Sequence, residues 1–122
     1  MKIETTILKN LLQNEDYARK VLPFLNDEYF TENSDKIIYN QINNFILKYN
    51  SLPNKEALNI ELSEAKITEE DFKESVNLIN EIGKDDQEFS DLSWLLDTTE
   101  KFCQDKAIYN AVVESISILD NP

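Results

Sequence analysis

One glycine in 122 residues, at position 83, leaves this chain almost without the left-handed backbone positions that tight turns between strands require. Three prolines supply few further breaks. A sandwich or barrel needs such residues at the end of every strand, whereas helix interiors need neither. The expected fold is therefore all-α. The apolar spacing resolves it into a compact bundle of about five short helices plus a long C-terminal helix.

Ile3, Ile7, Leu8, Leu11 and Leu12 recur at helical spacing, with Lys2, Glu4, Lys9 and Asn10 on the opposite side. Asn14 followed by Glu15 and Asp16 reads as the cap of a second helix, with acids where the helix dipole favours them. That helix carries Tyr17, Val21 and Leu22 inward and stops near Pro23 to Leu25. Asn26 to Asn33 reads as a connector whose Tyr29 and Phe30 are too large to leave in water and plug the core from the loop.

From Ser34 the series Ile38, Ile42, Phe45, Ile46, Tyr49 marks a third helix, ended by a turn around Asn50 to Pro53. Asn54 caps a fourth, with Ala57, Leu58 and Leu62. Thr68, three residues before Asp71, resembles a capping box ahead of Phe72, Val76, Ile79 and Ile82. Gly83 then stands where a left-handed terminating residue belongs. The stretch KDDQEFSD reads as a charged loop within one domain of residues 1–122, dividing a globular part (1–89) from a long extending helix (90–122). The core is expected to hold Leu8, Leu11, Leu12, Val21, Phe30, Ile38, Ile42, Phe45, Trp94 and Phe102. For Trp94 the competing reading is a residue buried by a second protein surface.

The last helix carries more apolar residues than one core can use. Advancing 100° per residue from Ile108 places Tyr109, Val112, Val113, Ile116 and Leu119 on one side and Ala111 and Ile118 on the other, an arc of roughly 220°. Only Lys106, Asn110, Glu114 and Ser117 form a polar strip. No sustained heptad appears, so a long two-stranded coiled coil fits poorly. Tyr109, Val112, Val113, Ile116 and Leu119 are the candidates for a self-association surface.

A net charge of −12, from 24 acidic and 12 basic residues, speaks against unassisted binding to nucleic acid, whose affinity comes mostly from Lys and Arg on phosphates. It speaks equally against docking on an anionic membrane. No apolar run approaches the ~20 residues that cross a bilayer. A lone Cys103 can form no internal disulfide and fits a reducing cytoplasm.

The absence of His removes the commonest general base, the serine–histidine triad and the usual zinc sites. With one glycine, no phosphate-binding loop can be built. Cys103, within the apolar pattern of Phe102, Ala107 and Ile108, reads as a small core residue. Two acidic clusters, Glu69, Glu70, Asp71 and Glu74, and Asp85, Asp86, Glu88 and Asp91, lack the spacing of a calcium loop and read as solvated faces. No catalytic, cofactor-binding or metal-ligating residues are expected. A small hydrolase working through a carboxylate pair remains the weakest alternative, because no spacing selects a pair.

The order of motifs ILKNLLQNEDYARKVLPFLNDEYF, KIIYNQINNF, PNKEALNIEL and SWLLDTTEKFCQDKAIYNA resembles the N-terminal domain of DnaB-like replicative DNA helicases, especially those of tailed phages. The more specific pieces are Asp27-Glu28-Tyr29-Phe30, and Ser93-Trp94-Leu95 with Thr99-Glu100-Lys101-Phe102 leading to Ala107. The resemblance runs from about Ile3 to Leu119. It implies a non-catalytic domain in the collar of a hexameric ring, pairing with neighbouring copies and docking primase or a helicase loader in the bacterial host cytoplasm. ATP and Mg would belong to a following RecA-like motor, so the chain is expected to be a fragment of a longer protein. In the family the long helix is the first arm of a helical hairpin, and here the sequence stops before a second arm. The alternative is a stand-alone acidic phage protein that imitates DNA or binds a host factor.

Overall fold

A computed structural model describes residues 2–84 and 91–120. The described chain is all-α: α1 (Ile3–Gln13), α2 (Glu15–Val21), α3 (Asn33–Tyr49), α4 (Lys55–Ser63), α5 (Glu69–Ile82) and α6 (Leu92–Asp120). Short 3-10 turns at Leu22–Phe24 and Asp27–Tyr29 join α2 to α3. The expected boundary at residues 89/90, and Asp85, Asp86 and Glu88, lie outside the described residues.

Side-chain caps set most helix starts. Asn14 Oδ1 accepts from the Tyr17 amide at 3.1 Å, Asn54 Oδ1 from Ala57 at 2.7 Å, Thr68 Oγ1 from Asp71 at 3.1 Å and Asp91 Oδ1 from Trp94 at 3.1 Å. Each satisfies an amide that the first turn leaves without an intrahelical partner, worth ~1 kcal/mol. Asn26 Oδ1 does the same for Glu28 in the second 3-10 turn, at 3.0 Å.

Two ends differ from expectation. Gly83 closes α5 at φ −83°, outside the left-handed region, and the left-handed residue is Asn50 at the end of α3, φ 54°. What keeps position 83 small is approach: a Cβ there would sit 2.9 Å from the Ile79 carbonyl oxygen and 3.1 Å from the Lys55 side chain. The last helix is continuous over 29 residues.

In the bundle, α3 and α5 pack on each other and both meet α1 and α4, while α2 joins α1 to the first half of α6. Leu8, Leu11, Val21, Phe30, Ile38, Ile42 and Phe102 all lie in one buried cluster with Tyr17, Leu58, Ile79 and Leu95. Full burial of each such side chain contributes roughly 1.5–3 kcal/mol. Phe30 enters from the connector, its ring stacked on Tyr39 at 5.4 Å and tilted to Phe102 at 5.9 Å.

Other candidates sit elsewhere. Leu12 is partly buried at the edge of the cluster. Phe45 is half-buried outside it, its ring 4.7 Å from that of Tyr49, while the adjacent Ile46 is the residue that packs against the cluster. Trp94 is 53% exposed, since the inward face of α6 is set by Leu95, Thr99, Phe102 and Cys103, and Trp94 lies about 100° away from Leu95. Lys9, read as solvent-facing, is buried, as are Thr5 beside it on α1 and Asp35 in the first turn of α3.

Candidate interaction surface

The first half of α6 is tied to the bundle at four levels. Leu95 is buried near its start. One turn on, Thr99 Oγ1 and the Tyr17 hydroxyl share a buried hydrogen bond of 2.5 Å. Phe102 packs on Phe30, and the Lys106 ammonium lies 5.9 Å from the Phe102 ring centroid and 3.5 Å from Thr31 Oγ1. Asn110 Nδ2 then donates to the Glu28 carbonyl at 3.1 Å. Beyond it every residue from Ala111 to Leu119 is exposed.

The outcome is a helix end carrying large apolar side chains in solvent. Ile108 and Tyr109 are each 64% exposed, Val112 52%, Val113 47%, Ile116 53%, Ile118 66% and Leu119 79%. Isolated exposed apolar residues are ordinary, whereas seven large ones within twelve residues of one helix are an unusual concentration. The structure gathers all five sequence candidates, Tyr109, Val112, Val113, Ile116 and Leu119, on this segment. Ile108 and Ile118 belong to the same exposed stretch, so the apolar character wraps most of the helix.

The titratable groups in the interior are set for packing. Burial pushes the Cys103 thiol up to about 11, so at neutral pH it carries its proton and is a poor nucleophile. Burial likewise raises Tyr17 to about 12, against the opposing effect of its bond to Thr99. Asp35 is raised by desolvation first and then by Glu4 and Glu32, with Lys2 opposing. Among the described residues no three His, Cys, Asp or Glu side chains are placed to hold a metal ion. In the first acidic cluster, Glu69 pairs loosely with Lys73 at 3.9 Å and Asp71 is held through its amide at the α5 cap. No described helix is long and apolar enough to cross a membrane.

Among the described residues the chain is an all-helical bundle with an exposed apolar helix end. No known protein-family model matches the chain. The chain is 32% identical over 115 residues, 94% of its length, to a DnaB-like replicative helicase of Enterobacteria phage T4. Those residues make up 24% of that relative, so the chain spans about a quarter of the curated protein it matches. Identity at this level along almost the whole chain establishes a relationship to that part of the helicase.

Neither the Tyr17–Thr99 bond nor the Asn110–Glu28 contact was derived from spacing. Glu28 lies within the Asp27–Phe30 piece and Thr99 within the Thr99–Phe102 piece that carried the family resemblance. A resemblance of order flagged those residues, and only the fold says what they touch.

Proposed function

We propose that this chain is a non-catalytic N-terminal domain of a phage replicative DNA helicase, which pairs with other copies of itself in the collar of a hexameric ring and docks primase or a helicase loader. The observation that carries the proposal is the exposed apolar end of α6, on a chain related to a DnaB-like helicase over 94% of its length. Tyr109, Val112, Val113, Ile116 and Leu119 form the self-association surface. Nucleotide hydrolysis and its Mg ion belong to a motor region outside this sequence, and the domain acts by organising protein partners in the host cytoplasm, without direct DNA contact of its own.

The coding sequence downstream of Pro122 tests this reading. A frame that continues into a glycine-rich phosphate loop supports it. A stop codon contradicts it and favours the stand-alone acidic protein.

A further inference from the structure

Past Asn110 the last helix gains nothing from burial. All nine residues from Ala111 to Leu119 are exposed, a length of about 13 Å. Helices in proteins owe most of their stability to a packed face, so this end depends on its own sequence. That sequence forms helix poorly. Val112, Val113, Ile116 and Ile118 are β-branched, with side-chain freedom cut by the preceding turn, and Ser115 and Ser117 rank with them below Ala, Leu and Glu. The Ser115 hydroxyl also donates back to the Ala111 carbonyl oxygen at 2.9 Å, a contact that slightly weakens a helix.

Electrostatics add no support. Glu114 is the single charged residue from Ala107 to Leu119, so no ion pair one turn apart can form within that stretch. The last turn holds no basic residue to offset the negative end of the helix dipole.

We propose that the turns beyond Asn110 are an order–disorder switch: they open and re-form in the single chain, and packing against a second copy locks them as helix. The inference rests on the self-association reading above. A second copy is the occupant because this stretch carries one acid on a chain of net charge −12, so two such ends can lie together without stacking the charge of the rest of the molecule. Helix is also the form that aligns the apolar residues: Tyr109, Val113 and Ile116, spaced by four and three, fall in one row only when the chain is coiled. The affinity between copies is then lowered by the fraction of ends that are open.

Hydrogen exchange of the whole chain, read amide by amide over a dilution series with sedimentation at the same concentrations, tests this. In the dilute single chain the amides of Ser115 to Leu119 exchange as in an unfolded peptide while those of Phe102 and Cys103 stay protected, and protection spreads to Leu119 as copies associate. Two variants at the exposed Glu114 remove the same charge and differ in helix propensity: Glu114→Gly associates about fivefold more weakly per chain than Glu114→Ala, at the same urea midpoint. Slow exchange of Ser115 to Leu119 in the dilute chain, or equal affinity of the two variants, would overturn the proposal. Association without a gain in protection would overturn it and leave the self-association reading standing, whereas a chain that stays single at every concentration would remove that reading and the proposal with it.

Discussion

The Tyr17 hydroxyl and Thr99 Oγ1 meet at 2.5 Å in the interior, joining α2 to α6 across 82 residues of sequence. Both residues are almost wholly buried, so neither oxygen has water to turn to. Tyr17→Phe leaves Thr99 Oγ1 without this partner and is expected to cost ~1–3 kcal/mol, the price of an unsatisfied buried polar group. Thr99→Val in the same background recovers part of the loss by removing the second group. Urea unfolding of both single variants and the double variant checks this, and strict additivity would mean the bond contributes nothing.

Asp35 gives stability a pH dependence of defined sign. Its folded pKa is raised above the ordinary value of 3.8, so the folded state holds this proton more tightly than the unfolded one. Its contribution to stability is highest below the unfolded pKa and declines as pH rises through the folded pKa. Desolvation leads this upward shift in the first turn of α3, with Glu4 and Glu32 adding to it and Lys2 opposing. Asp35→Asn should raise the urea midpoint at pH 7 and flatten its decline above pH ~4.

Cys103 should be kinetically inert. With the thiol buried and pushed up to about 11, alkylation by iodoacetamide at neutral pH is expected to be slow in the folded chain and fast in urea. Equal rates in the two states would place the thiol at the surface.

Trp94 and Phe102 separate the exposed from the buried aromatic on one helix. Phe102→Ala removes a ring packed on Phe30 and should cost about 3–5 kcal/mol. Trp94→Ala, at a side chain 53% exposed, should cost no more than ~1 kcal/mol. Thermal unfolding of the two variants distinguishes them directly.

Helix number, type and most caps were legible because Asn14, Asn54 and Thr68 are local signals, complete within four residues. The same holds for Phe30: a large aromatic in a short connector has few places to go but inward. Trp94 and Phe45 misled because periodicity shows that a helix has an apolar side, not which of its apolar residues the neighbouring helices cover. The αL position went to Asn50 and not to the lone Gly83, since Asn tolerates that conformation while Gly83 answers the close approach of the Ile79 carbonyl oxygen, with the Lys55 side chain next nearest. The candidate surface on α6 was readable as an apolar excess. The point at which the bundle releases the helix, after Asn110 bonds to Glu28, depends on a contact across 82 residues and left no mark in the spacing.

The most direct test of the account is analytical ultracentrifugation of the chain beside Val113→Glu. Val113 is 47% exposed on the released part of α6, so the substitution should leave folding stability within about 0.5 kcal/mol while placing charge in the apolar surface. The account predicts reversible self-association of the natural chain, abolished in the variant at an unchanged urea midpoint. A natural chain that stays monomeric at high concentration, or a variant that associates equally well, would contradict it.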